Sequence, residues 1–379
     1  MPSAVHHGIG QLVIVGFDGT SLPPEVRSLA REFDLGGVIL FARNVESPAQ
    51  VAEIACEAQQ IARELPLWVS VDQEGGRVAR LKSPLTEWPP MAALGRAGDD
   101  ELARRFATAL ATELLAVGIS LDFAPVLDVL THPKNPAIGD RALSDDAPTV
   151  ARLGAAILTA LQDCGLAACG KHFPGHGDTG VDSHLDLPIV ENLPDRLRGV
   201  EYVPFRAAIE AGVAGIMTAH LLVPALDEEQ PATMSRVIVQ GVLRDELHFD
   251  GLVFTDDLDM KAISARMTRE RAAVASIRAG CDVALLCGSD VAAHASAIEA
   301  LIRAVEQEEL PYKRVEDALA RQRRAKERFA AVRTAGPRSA DSGASPLDRS
   351  WRPLPPARLR ALLGCEAHQA VAEEMRRSW

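Results

Sequence analysis

Eight short apolar runs, each followed by a loop and then by a segment with helical spacing, constrain the fold of this 379-residue chain more than any other feature. The runs are Gln11 to Phe17, Gly36 to Ala42, Pro66 to Asp72, Ser120 to Val126, Ala168 to Phe173, Ala214 to His220, Gly251 to Asp257 and Asp282 to Gly288. Their continuous apolar character suits parallel strands buried on both faces. Between them, Leu102, Phe106, Leu110 and Leu114, or Leu153, Ile157 and Leu161, recur at the 3.6-residue period of a covering helix. Eight such units in about 290 residues predict a single (β/α)8 barrel, although a doubly wound open sheet shares the local pattern.

The polar residues favour the barrel. Strand after strand ends in a charged or imidazole side chain: Asp72, Asp122 with Asp128 just beyond, Lys171 and His172, His220, Asp256 and Asp257. In a barrel these ends converge on one face, and charges there are costly to bury without a purpose. The barrel is expected to span residues 1–333, ending after the helical segment from Val315 to Val332. A Gly-, Ser- and Pro-rich linker and a C-terminal tail over 334–379 follow, with a short helix expected over Ala357 to Met375.

A formal net charge of -12 opposes binding to nucleic acid or an anionic membrane, so a small molecule is the expected partner. No stretch approaches the roughly 20 apolar residues of a membrane span, and the run Leu12 to Phe17 is too short for a signal-peptide core. The six cysteines show no CxxC spacing and read as reduced core thiols. A cytoplasmic monomer is expected.

Two clusters carry chemistry. From Lys171 to His184 run three histidines, two aspartates and a lysine within fourteen residues, among glycines 175, 177 and 180 that let the loop fold back over a site. A solvated polar loop has no need of three histidines beside a buried strand end. A metal site built from His172, His176, Asp178 and His184 competes, but its spacing fits no common ligand motif. The second cluster is the strand end Thr255-Asp256-Asp257, where adjacent carboxylates on a strand point to opposite faces. One aspartate is therefore a candidate nucleophile, and the other is left to helix-cap or structural contacts.

The segments KHFPGHGDTGVDSHLDLP, VDQEGGRVARL, NPAIGDRAL and FTDDLDM resemble the bacterial β-N-acetylglucosaminidase branch of the family-3 glycoside hydrolases, over about residues 10 to 330. The resemblance implies a (β/α)8-like barrel with Asp256 as nucleophile, His184 as general acid/base and Asp182 orienting that histidine. It also implies that Asp72, Arg80, Arg141, Lys171 and His172 hold the N-acetylglucosamine unit, with no metal or organic cofactor. The expected substrates are N-acetylglucosaminyl-1,6-anhydro-N-acetylmuramyl peptides of peptidoglycan recycling.

The chemistry of the residues agrees with these roles. An imidazole already titrates near the pH at which a general acid/base works, and a neighbouring carboxylate favours its protonated form. Guanidinium and ammonium groups suit sugar hydroxyls, and aromatics at 4% of the chain argue for a compact pocket that takes one terminal sugar. Two rivals remain from the sequence: a metal-dependent hydrolase using the His-rich loop, and a non-catalytic muropeptide-binding barrel. Phosphate in place of water as the second-step acceptor is a further variant.

Overall fold

The computed structural model describes residues 8–180, 182, 183, 186–330 and 352–379. Among these, eight parallel strands close a barrel in chain order: β1 (Val13–Val15), β2 (Gly37–Leu40), β3 (Trp68–Val71), β4 (Leu121–Asp122), β5 (Ala167–Phe173), β6 (Gly215–Thr218), β7 (Leu252–Asp257) and β8 (Val283–Leu286). Each strand falls within its expected run or overhangs it by one residue, and pairing of β1 with β8 rules out the open sheet. The strands are buried on both faces, and alternate side chains join two different clusters. Ile14, Ile39, Trp68, Leu121, Phe123, Phe254 and Leu285 cluster together, while Val13, Val15, Val38, Leu40, Val69 and Val71 join the larger core shared with the helices. β4 is short because Pro125 has no N–H to donate. The run continues beside β5 only through irregular bonds such as Cys169 N–H to the Ala124 carbonyl at 3.0 Å.

The helices are α1 (Pro24–Phe33), α2 (Pro48–Ile61), α3 (Met91–Ala97), α4 (Asp100–Ala116), α5 (Ala147–Asp163), α6 (Pro194–Gly199), α7 (Tyr202–Glu210), the π-helical α8 (Val237–Glu246), α9 (Lys261–Ser264), α10 (Arg269–Ala279), α11 (Val291–Glu306) and α12 (Tyr312–Phe329), followed in the C-terminal segment by α13 (Pro356–Leu362) and α14 (Glu366–Arg376). Side-chain caps start several of them: Asp99 accepts from Glu101 N–H and Leu102 N–H to open α4, and Asp146 accepts from Thr149 N–H to open α5. The expected tail helix is divided by Leu363, Gly364 and Cys365. Gly364 has φ +57°, and a Cβ there would lie 2.3 Å from the Pro84 carbonyl oxygen, so the chain turns where it meets the barrel. The linker and the boundary at 333 lie outside the described residues. Cys169, Cys281 and Cys287 are buried free thiols, whereas Cys56, Cys164 and Cys365 are only partly buried. Among the described residues, no helix is long and apolar enough to cross a membrane.

α12 helps close one end of the barrel. Phe329 and Ala330 join the interior cluster, Trp68 Nε1–H donates to Gln322 Oε1 at 2.8 Å, and Gln322 Nε2–H donates to the Gln11 carbonyl at 2.7 Å. Beside them the fully buried Lys326 Nζ donates to Gln11 Oε1 and the Gly36 carbonyl, both at 2.7 Å. Burial lowers its pKa to about 7, with Asp34 opposing the shift. Between that value and the unfolded 10.5, the unfolded chain binds a proton that the folded chain does not, so stability from this group rises with pH. A Lys326→Met variant is expected to show a flatter dependence of unfolding free energy on pH over this window, measured by denaturant titration.

Candidate active site

The strand ends converge on a cavity of about 270 Å³, close to the lower end of the roughly 300–1,000 Å³ usual for small-ligand sites. β3 delivers Asp72 and, through Gln73, Glu74. The chain then turns sharply at Gly75 (φ +108°) and Gly76 (φ +57°), which brings Arg77, Val78 and Arg80 back to the cavity wall. Arg141 comes from the short helical turn Gly139–Arg141 after β4, Lys171 and His172 from β5, and Asp256 and Asp257 from the end of β7. The Lys171–His172 peptide is cis.

Glu74 is the hub of this arrangement. Its carboxylate takes a two-pronged contact from Arg141, 2.9 Å from Nε and 2.8 Å from Nη2, and pairs with Lys171 Nζ at 2.6 Å. Lys171 Nζ also donates to Asp72 Oδ1 at 2.7 Å, and Arg80 reaches Asp72 Oδ2 at 3.4 Å. Burial works against the Glu74 carboxylate, but Arg141 and Lys171 outweigh it and hold its pKa far below the usual range. Lys171 and Arg141 are in turn held protonated by these carboxylates against their own burial.

A second network orients the histidines. Asp128, fully buried, accepts His172 Nδ1 at 2.6 Å and the backbone N–H of His172 and His176 at 3.2 and 2.7 Å. Burial opposes ionisation of Asp128, yet these partners keep its pKa low. An ionised acceptor makes Nδ1 the donor, which leaves His172 Nε2 pointing toward Arg141, 3.5 Å away.

Asp256 is half-buried, and its desolvation alone would raise its pKa. His220, His172, the Asp257 N–H at 2.8 Å and Lys171 instead hold it below the ordinary carboxylate range. Asp257 goes the other way: burial pushes it up to about 6 even though its Oδ1 accepts the N–H groups of Asp259 and Cys287. Both residues line the cavity, while the Asp257 carboxyl makes the structural contacts expected of one member of the pair. β7 and β8 shift register between Phe254 and Asp257, which breaks the strict alternation.

Asp72, Arg80, Arg141, Lys171, His172, Asp182 and Asp256 are thus gathered around one cavity. His184 lies outside the described residues. The residue left out by the sequence reading is Glu74. A carboxylate immediately after an apolar strand was the available signal, but its burial depends on Arg141, 67 positions away.

Comparison with known proteins decides the family. The model of the glycosyl hydrolase family 3 N-terminal domain matches residues 4–325. The chain belongs to glycoside hydrolase family 3. It is a glycoside hydrolase similar to the β-hexosaminidase of Thiobacillus denitrificans, with 43% identity over 275 residues, 71% of this chain and 76% of that protein. Among solved structures, it resembles a family 3 β-N-acetylglucosaminidase from Paenibacillus sp. str. FPU-7 at TM-score 0.89 and 40% identity, covering 99% of this chain and 68% of the other. It also resembles NagZ from Neisseria gonorrhoeae in complex with N-trifluoroacetyl-D-glucosamine at TM-score 0.75 and 29% identity, covering 99% and 98%.

In this family 3 hydrolase the described members of the rival metal set are engaged elsewhere. His172 is tied to Asp128, His176 to Thr179 and Ser183, and Asp178 to Thr131 and Asn192. Among the described residues, no three His, Cys, Asp or Glu side chains are grouped to hold an ion.

Glu74→Gln leaves two buried cations short of a counter-charge, and removing one partner of a buried ion pair costs roughly 3–5 kcal/mol. Because the folded pKa of Glu74 lies below its unfolded 4.5, its contribution is present above that pH and is lost as pH falls through the folded value. The variant is therefore expected to unfold more easily near neutrality and to have a shallower acid limb, read by chemical denaturation across pH.

Proposed function

We propose that this hydrolase is a retaining exo-β-N-acetylglucosaminidase that removes terminal non-reducing β-linked N-acetylglucosamine through a covalent intermediate on Asp256. The observation that carries the reading is a half-buried carboxylate at the end of β7, held below the ordinary carboxylate range by His220, His172 and Lys171 and lining the cavity beside Asp72, Arg141 and Lys171. The activities of the β-hexosaminidase and β-N-acetylglucosaminidase relatives support the choice of sugar.

In the first step His184 gives a proton to the glycosidic oxygen while an Asp256 oxygen attacks the anomeric carbon, and the aglycone leaves. In the second, His184 takes a proton from water, which attacks the same carbon and frees Asp256, giving net retention. Asp182, in the cavity wall, orients and polarises His184. Asp72, Arg80, Arg141, Lys171 and His172 hold the sugar, with His172 fixed by Asp128. An imidazole acid/base does not repel an anionic aglycone as a second carboxylate does, which fits cell-wall muropeptides. We assign the enzyme to peptidoglycan recycling, as a monomer acting on N-acetylglucosaminyl-1,6-anhydro-N-acetylmuramyl peptides in the cytoplasm. The free cysteines agree with a reducing compartment.

Wild-type protein is expected to cleave a chromogenic β-N-acetylglucosaminide, with the first-formed sugar in the β configuration by NMR. Asp256→Ala and His184→Ala are expected to stay folded by circular dichroism yet lose about 10² or more in turnover. Trapping with a 5-fluoro glycosyl reagent and peptide mapping should place the label on Asp256; a label elsewhere defeats the assignment. Turnover unaffected by phosphate, with no sugar 1-phosphate formed, removes the phosphorolytic variant.

A further inference from the structure

The family match ends at residue 325, yet the segment 352–379 is packed into the same core: Leu359, Leu363, Val371, Ala372 and Met375 are buried in it. Two of its polar contacts meet at one buried carboxylate, apart from those of Glu374 with Arg105 and of the Trp379 carbonyl with Arg96. Glu113 of α4, fully buried, accepts four hydrogen bonds: Thr86 N–H at 2.8 Å, Thr86 Oγ1–H at 2.7 Å, Gly364 N–H at 2.8 Å and His368 Nδ1–H at 2.7 Å. Burial works against this carboxylate, but His368, Thr86 and Gly364 lower its pKa. On the same stretch of chain, Arg376 Nη2–H donates to the Glu87 carbonyl at 2.6 Å.

Thr86 and Glu87 lead directly into the wall on which the glycine turn rests. Gly76 N–H donates to the Trp88 carbonyl at 3.0 Å. A Cβ on Gly75 would lie 2.8 Å from Met91 Cε and 3.0 Å from the Pro89 carbonyl, and one on Gly76 would lie 2.8 Å from Pro90 Cα. The turn therefore has no slack against residues 88–91, and its flanks carry Glu74, Arg77 and Arg80 of the cavity. The contacts run without a break from the C-terminal helix, through Glu113 and Thr86, to the sugar-binding wall.

We propose that the segment 352–379 is a brace that positions the β3–α3 loop for substrate, with His368 as its main positioning residue and Arg376 as its second point of attachment. The proposal rests on the assignment of that loop to sugar binding. Residues 82–90 form no helix or strand, so their order depends on such contacts. When His368 is lost, Glu113 keeps a buried charge with one donor fewer, and the loop spends part of its time out of the binding geometry. Apparent affinity then falls by the competent fraction. Asp256 is carried by β7 and not by the β3–α3 loop, so the chemical step of bound substrate is spared.

The test compares His368→Ala, His368→Asn and Arg376→Ala with Glu374→Ala. Glu374 pairs with Arg105 on α4 and serves as a control for tail attachment away from the loop. With a chromogenic β-N-acetylglucosaminide, His368→Ala is expected to raise KM about three- to tenfold with kcat within about twofold. Arg376→Ala should give a smaller rise, His368→Asn, whose amide still donates, should restore KM, and Glu374→Ala should leave it unchanged. Hydrogen exchange without sugar should speed up over residues 72–90 in His368→Ala, and free N-acetylglucosamine should slow exchange in both the loop and the tail of wild type. Unchanged exchange over 72–90 in both His368→Ala and Arg376→Ala overturns the brace, as does an equal fall of kcat in every variant. Where His368→Ala does not fold, Arg376→Ala carries the comparison. A wild-type protein that does not turn over the glycoside defeats the sugar assignment instead, while the sugar-free exchange experiment still decides whether the tail orders the loop.

Discussion

One buried carboxylate holds the catalytic face together. Glu74, on the loop after β3, is shared by Arg141 from the loop after β4 and Lys171 from β5, so three successive segments are joined at one point. Buried ions are expensive, and each of these is tolerable only because the others are in place. Around the cavity, histidines aside, the acidic residues Asp72, Glu74, Asp182, Asp256 and Asp257 face Arg77, Arg80, Arg141 and Lys171, so the formal charges nearly balance. A neutral sugar entering such a site meets oriented donors and acceptors without a large net field. The cost of arranging them has already been met in folding.

The same wall explains how two adjacent aspartates come to behave differently. Asp256 is favoured as an anion because His220, His172 and Lys171 surround it at depth. Asp257, one residue on, has Asp259 and Asp256 as neighbours, so burial prevails over its backbone hydrogen bonds and its pKa rises to about 6. Paired carboxylates pushed apart by their surroundings are a common way to divide roles in an active site. Here the division suits the nucleophile role proposed for Asp256, while the Asp257 carboxyl takes up two backbone N–H groups and secures the β7–β8 junction.

The barrel was legible because its signal is local: apolar runs two faces deep and amphipathic helices between them specify element type without reference to partners. Convergence of Asp72, Lys171, His172 and Asp256 was legible at one remove, since closure of a barrel brings strand ends together whatever the details. What escaped the sequence depends on pairs distant in the chain. Glu74 acquires its importance only through Arg141, and the docking of the tail only through Glu113, which on α4 looks like any polar helix residue until Thr86, Gly364 and His368 surround it. The alternation rule left one of the two aspartates to structural contacts, and Asp257 makes them, but it could not foresee the register shift between β7 and β8 that leaves this residue at the cavity edge as well.

The shape of the cavity bears on which end of a glycan it accepts. Histidines aside, Phe41 is the one aromatic ring among the described lining residues. It is already covered by the guanidinium of Arg43 at 4.6 Å and of Arg80 at 5.3 Å from its centroid. It is therefore poorly placed to serve as the free stacking platform that an extended polysaccharide needs, and recognition falls to hydrogen bonds within a small volume. That economy agrees with the single terminal sugar proposed as the substrate unit. It also makes binding depend on the exact placement of the loop bearing Glu74 and Arg80, because misplaced donors forfeit the geometry that orients the sugar.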